Sequence, residues 1–372
     1  MAPGLARLLK PGAGSKNFED LSPSTDPSPQ ASQFSPGDGR IGDLRQAATM
    51  VRSGSNTTCR CASVIRQYRS VRADLYVESV LAKCDALKRS GIWAPEPKLR
   101  PRAWLGNFND DNERLIAAVL LDNFIFYSER AADQLLVAAF DTLEDALLSG
   151  DLSFSGVTAA DFLRDAVLTP IEGETPRPTD SGKALCGRLR DLARLDDNRF
   201  VDFESALQWA AQGRPIIFVD DFLGSGQQLI KTWRRWSDRI PRQSFAAIHA
   251  RAHLPAACIA MVATETARRN VNSAGLPIEL ITTHTLEEAY GAQHLEAPSL
   301  TPPFAQFQES LRTFLDRHAP TLTLPPFLTT GDQSLYGFHT LGLLFSFERK
   351  PPDATLPVFW APGPQGWICL VK

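Results

Sequence analysis

The stretch Pro215–Gln228, PIIFVDDFLGSGQQ, decides how this chain is read. An apolar run gives way to two adjacent carboxylates, and a Gly-Ser-Gly turn then opens a helical pattern. Ile216 to Val219 combine β-branched and aromatic side chains without polar alternation, the mark of a strand covered on both faces in a parallel sheet. Asp220 and Asp221 therefore fall at the strand's carboxyl end. In open α/β sheets, ligands bind in the crevice beyond those ends. Gly224 and Gly226 permit backbone conformations that side chains forbid and let amides approach a ligand. From Gln227 to Trp236 the apolar stripe Leu229, Ile230 and Trp233 predicts a helix, whose first-turn N–H groups and positive dipole end suit a phosphate. Acids that accept hydrogen bonds from sugar hydroxyls, beside a phosphate cradle, point to a ribose 5-phosphate.

Neighbouring motifs fail on spacing. An apolar strand ending in acids also occurs in nucleotide hydrolases, but their phosphate loop ends in Gly-Lys-Ser/Thr. Here Gly182-Lys183 is followed by Ala184, and Arg177 stands where that loop's first glycine belongs. Gly224 directly precedes Ser225, so the nucleophile-elbow pattern G-x-S-x-G is broken as well. A plain strand-to-helix turn with an aspartate cap accounts for the glycines but not for two successive acids.

Composition narrows the classes. The 372 residues are 43% hydrophobic, ample for one large α/β domain with appendages. A formal net charge of -3 supplies no global basic field, so net charge does not indicate nucleic acid, though it leaves room for a local basic patch. No apolar run approaches the roughly 20 residues that span a bilayer, and Met1 to Gly14 lacks a signal-peptide core, so a cytoplasmic protein without a membrane partner is expected. The six cysteines are scattered, as reduced thiols are, and Cys59 and Cys61 have no second ligand pair for zinc nearby.

Three regions follow. Residues 1–58 are rich in Ser, Pro, Gly and Asp and are predicted to be disordered. Residues 63–155 read as a helical appendage, with an amphipathic pattern from Val64 to Leu87 and a helical stretch from Leu115 to Leu148 broken near Tyr127 to Ala131. Residues 160–372 read as a doubly wound, mainly parallel α/β domain. Its predicted elements are a strand over Ala166–Ile171, a helix over Lys183–Leu195, a strand over Cys258–Ala263, a helix over Glu265–Asn272, a strand over Ile278–Thr283 and a helix over Phe304–His318. Two further strands, Leu341–Phe347 and Trp367–Val371, are expected to form an antiparallel edge or C-terminal flap.

The apolar strand, paired acids and Ser-Gly turn of VDDFLGSGQQ (Val219–Gln228) resemble the phosphoribosyl diphosphate (PRPP) motif of type I phosphoribosyltransferases. With PTDSG at Pro178–Gly182, the segment Trp104–Phe108 and GLLFSFERKPPDATLPVFW at Gly342–Trp360, the chain is similar over about Val64 to Lys372 to the PRTase-CE family. That family is found in bacterial defence loci, including some retron systems. The resemblance implies that Asp220 and Asp221 hold the ribose hydroxyls of PRPP or a nucleotide. It implies that Gly224, Ser225, Gly226, Gln227 and Gln228 hold the 5-phosphate, and that Ser181, Gly182 and Lys183 occupy the pyrophosphate loop. Mg²⁺ is implied as the cofactor, with Glu172 and Glu174 as its candidate residues through water.

Two departures qualify the resemblance. Gln227 and Gln228 replace the small residue and threonine usual in that loop, and Gly224 replaces the aspartate that serves as base in 6-oxopurine salvage enzymes. Two functions remain open: a Mg²⁺-dependent transfer or cleavage of a ribosyl group, and a non-catalytic nucleotide or PRPP sensor acting on a defence-system partner protein. Arg188, Arg190 and Arg194 read as a solvated helix face. His249, His253 and His284 lie near sheet ends, and Trp360 and Trp367 are read as packing residues.

Overall fold

Apolar segments bounded by capped helices set the architecture of this computed structural model, which describes residues 58–172, 181–295 and 307–372. The segment 1–57, expected to be disordered, lies outside the described residues. Helices α1 (Thr58–Arg89), α2 (Pro101–Leu105) and α3 (Asp111–Asp122) precede strand β1 (Ile125–Tyr127), and α4 (Glu129–Ser149) and α5 (Ala159–Asp165) follow it. Strand β2 (Val167–Pro170) leads through α6 (Ser181–Ala193) and α7 (Phe203–Ala211) to β3 (Ile216–Leu223). Helices α8 (Gln227–Arg234) and α9 (Phe245–Ala252) connect β3 to β4 (Ala256–Thr264), and α10 (Glu265–Ser273) connects β4 to β5 (Glu279–Leu286). Helices α11 (Phe307–His318) and α12 (Gln333–Tyr336), strand β6 (Phe345–Phe347) and α13 (Pro357–Trp360) complete the chain.

The main sheet has the order β2-β3-β4-β5, with every neighbouring pair parallel. Parallel strands must be covered on both faces, and the helices divide accordingly. One face carries α4 and α6, where Leu136, Phe140, Leu143, Leu185 and Leu189 pack against Ile217, Val219 and Ile259. The other carries α7 to α10, where Phe203, Leu229, Trp233, Phe245 and Val271 pack against Ile216, Phe218 and Cys258. This is the doubly wound arrangement expected from the alternation of strands and helices. The long helix α4, read as part of the appendage, is itself a cover of β4 and β5.

Caps explain where the helices begin. Ser128, Thr158, Asp202, Ser244 and Thr264 each stand one residue before a helix and accept a hydrogen bond from an N–H of its first turn. Gly150 at φ 84° closes α4 in the left-handed conformation.

The tail differs from expectation. β6 pairs in parallel, not antiparallel, with β1, in a separate two-stranded sheet. Trp367–Val371 is not a strand and makes one antiparallel bridge, Leu99 to Val371. Instead of standing out as a flap, the tail buries Leu356, Phe359, Leu370 and Val371 in a third core with Trp104, Phe108, Leu120 and Phe314. The apolar content read as strand is used as an anchor for α2, α3 and α11.

Candidate functional site

Strand β3 runs further than its apolar residues announce. Its pairing with β4 continues through Phe222↔Val262 to Leu223↔Ala263, so Asp220 and Asp221 lie inside the last part of the strand, not beyond it. Val219 and Phe222, three residues apart, pack in the same cluster, while Leu223 joins the opposite one. Strict alternation would place residues three apart on opposite faces. The phase of the strand therefore shifts across the two acids.

Asp220 is 6% exposed. Its Oδ1 accepts a hydrogen bond from the Asp221 N–H at 3.0 Å, whereas its buried Oδ2 has no partner among the described residues. Burial pushes the Asp220 carboxyl well above the ordinary carboxylate range, and the neighbouring charge of Asp221 adds to the rise. Burial also raises Asp221, against the opposing pull of backbone N–H groups and the charge of Lys350. An unpartnered buried oxygen is costly for the protein alone.

The turn after β3 is held in place by its neighbours. Gly226 has φ +72°, and a Cβ there would lie 3.0 Å from the Ala267 carbonyl oxygen and 3.0 Å from Val271 Cγ2, so the position needs glycine for both conformation and space. Asn270 Nδ2 donates to the Ser225 carbonyl at 2.9 Å, and the Thr264 hydroxyl donates to the Gly224 carbonyl. Gly226 caps α8 without a side-chain hydrogen bond, and the Gln227 N–H reaches only the Ser225 hydroxyl, at 3.4 Å. Gln227 is half-buried and Gln228 exposed, at the entrance of the turn.

The other expected residues are distributed around the same edge. Gly182 presses α6 against the end of β2, where a Cβ would meet Pro170 Cβ at 2.7 Å. Ser181 opens that helix. Lys183 is exposed, and its charge helps hold the Asp202 carboxyl low. Glu172, a candidate for Mg²⁺, is ion-paired with Arg235, whose guanidinium carbon sits 3.6 Å above the Phe203 ring. Glu174 lies outside the described residues. Among the described residues no group of three His, Cys, Asp or Glu is arranged to hold a metal. A cavity of about 440 Å³ opens beside the turn, lined by Glu172, Gln227, Gln228, Lys231, Arg234 and Arg235.

The secondary candidates have structural partners. Arg188 pairs with Asp133 and Glu129 on α4, and Arg190 with Asp191 and Asp197. His249 bonds the Leu254 carbonyl at 3.1 Å through Nδ1, His253 is exposed, and His284 bonds the Tyr127 hydroxyl. Trp360 donates to the Thr355 carbonyl at 3.1 Å, and Trp367 packs edge-on to Phe108. Sequence reasoning missed Lys350, Asn270, Thr264 and Arg235. Lys350 lies in the quoted segment Gly342–Trp360, but no spacing links it to Asp221.

Comparison with curated proteins returns no match to this chain. A family model described as PRTase-CE matches residues 101–372, which include the main sheet, both acids, the glycine turn and the C-terminal anchor. The chain therefore belongs to the PRTase-CE family of phosphoribosyltransferase-like proteins.

Proposed function

We propose that the end of β3 and the first turn of α8 bind a phosphoribosyl ligand, PRPP or a nucleotide. The observation that carries this reading is Asp220, a buried acid whose Oδ2 lacks a partner, placed a few residues before a glycine turn that opens a helix. In this reading Asp220 and Asp221 take the ribose hydroxyls. The Ser225 hydroxyl and the first-turn amides of α8 take the 5-phosphate, where N–H groups and the helix dipole favour an anion. Lys231 and Arg234 line the adjoining cavity and suit further phosphates. Mg²⁺ would supply charge neutralisation to a diphosphate, whose own oxygens would complete a ligand set that the described residues do not assemble by themselves.

Two roles are compatible with binding. In the first, the protein transfers or cleaves a ribosyl group: the bond from C1 to pyrophosphate or base breaks as positive charge develops at the sugar carbon, an acceptor or water bonds to C1, and nearby cations would stabilise the departing anion. In the second, it senses nucleotide or PRPP and acts on a partner protein, within a bacterial defence system in either case. The second is favoured by Glu172, which is committed to Arg235, and by Gly224, which supplies no base. Calorimetric titration of PRPP and a nucleotide panel, with mass-spectrometric analysis of the same samples, tests the reading. Saturable binding without products selects the sensor, and Mg²⁺-dependent release of pyrophosphate or base selects the enzyme. Absence of binding by every phosphoribosyl compound contradicts both.

A further inference from the structure

The segment KTWRRWSDRIPR, Lys231–Arg242, carries five basic residues against one acid in a chain whose net charge is -3. It begins in α8, on the rim of the 440 Å³ cavity, and continues into the loop that precedes α9. Trp236 is 58% exposed in this loop, among the largest exposures of any large apolar side chain described. Arg234, Arg239 and Arg242 are also exposed. Among the described residues no carboxylate forms an ion pair with Arg239 or Arg242, although Arg239 is close enough to Asp202 to lower its carboxyl.

The loop is fixed, so the exposure of Trp236 is built into it. The Ser237 N–H donates to the Gln243 carbonyl at 2.7 Å, and the Arg239 and Ile240 N–H groups donate to the Ser237 hydroxyl at 3.0 and 2.7 Å. The Asp238 N–H donates to Glu204 Oε1 at 3.1 Å, and Gln243 Nε2 reaches the Leu207 carbonyl at 3.2 Å. Arg242 is held at φ +58°, a conformation unfavourable for a residue with a side chain. Arg235 is already occupied by Glu172 and Phe203, so it braces the segment from below.

A flat aromatic face between cations that have no carboxylate partner matches one kind of macromolecule. We infer that the Arg234–Arg242 loop is a docking platform for single-stranded nucleic acid, with Trp236 stacking on a base and Arg234, Arg239 and Arg242 following the phosphates. Each unpaired nucleotide offers Trp236 a π face and the cations a phosphate at once, whereas an acidic protein surface does so only where it also presents an apolar pocket for the indole. The inference does not rest on the phosphoribosyl reading: the platform uses none of its acids or glycines, and its contact residues share only Arg234 with the cavity, a residue that no test variant alters.

The test is fluorescence anisotropy with labelled DNA and RNA strands of about 12 nucleotides, at salt from about 50 mM upward. Saturable binding is expected, at least one of the two strands binding more tightly than a duplex of the same sequence. Trp236→Ala weakens it by roughly tenfold, whereas Trp236→Phe retains most of it. Arg239→Ala with Arg242→Ala lowers the slope of log affinity against log salt by about 1.4. All variants keep the melting temperature of the wild type and its response to PRPP, which separates failure here from failure of the cradle reading. The inference is overturned by absence of saturable binding, by Trp236→Ala binding like the wild type, or by an acidic polypeptide displacing the strand at equal charge.

Discussion

Asp220 is a residue at which stability and the ligand recognition we propose oppose each other. Its folded pKa lies above the unfolded value of roughly 3.9, so its contribution to stability is fully present below about pH 3.9 and is lost as pH rises through the folded pKa. At neutral pH the group is therefore a liability. Asp220→Asn is expected to raise the melting temperature near pH 7, with the gain shrinking as pH falls toward about 4, where the wild-type acid is already protonated. Thermal melts of both proteins across that range check it, and a destabilised Asn variant at neutral pH would refute the reading. Gly226 makes the opposite case. Gly226→Ala forces a Cβ against Ala267 and Val271 at a positive φ, and denaturant titration should show a loss of roughly 1–3 kcal/mol.

At the scale of elements, the sequence announces β3, the two acids and α8 because each carries its own signal: an apolar run, a polarity break and a 3.6-residue stripe. The stripe predicts a helix to Trp236, yet α8 stops at Arg234, and the chain turns extended at Arg235, whose side chain pairs with Glu172. Helices α7 and α9 escape the reading although Asp202 and Ser244 stand as their caps, because alanine fills half of the buried stripe of α7 (Phe203, Ala206, Leu207, Ala210) and α9 buries only Phe245 and Ile248, so the apolar signal is weak. Strand β1, three residues long, has no period to detect, whereas β6 lies inside the run Leu341–Phe347 that reads as a strand. The Arg235–Glu172 pair joins positions 63 apart in sequence, and no local pattern encodes it. It ties the end of α8 to the end of β2, and solvent screens it little, since the Glu172 side chain is 12% exposed and that of Arg235 32%. Arg235→Ala should cost roughly 1–3 kcal/mol, and the cost should fall when Glu172→Gln is added, because the stranded charge is then gone. A double-mutant cycle measures the coupling.

On the scale of the whole molecule, the C-terminus closes the fold. Trp104 Nε1 donates to the Val358 carbonyl at 3.0 Å, the Arg100 N–H to the Leu370 carbonyl at 2.9 Å, and the Lys372 N–H to the Lys98 carbonyl at 3.0 Å. Phe359 and Leu370 are fully buried. A chain ending at Thr355 loses these groups from the third core, and it is expected to unfold without the cooperative transition of the intact protein, as followed by circular dichroism. The sequence marked this region as apolar but not its partners, because contacts across more than 250 residues leave no trace in spacing. The same molecule places the acid pair, the glycine turn and the cationic cavity at one edge of a parallel sheet, with the cavity lined by Glu172 and the start of α8 rather than by the acids themselves.

Titration of PRPP into the wild-type protein, Asp220→Asn and Gly226→Ala by calorimetry tests that arrangement most directly. The account predicts saturable one-site binding by the wild type and loss of it in Asp220→Asn, a variant that melts at or above the wild-type temperature. Wild-type binding unchanged in Asp220→Asn, or no heat of binding from the folded wild type, would contradict it.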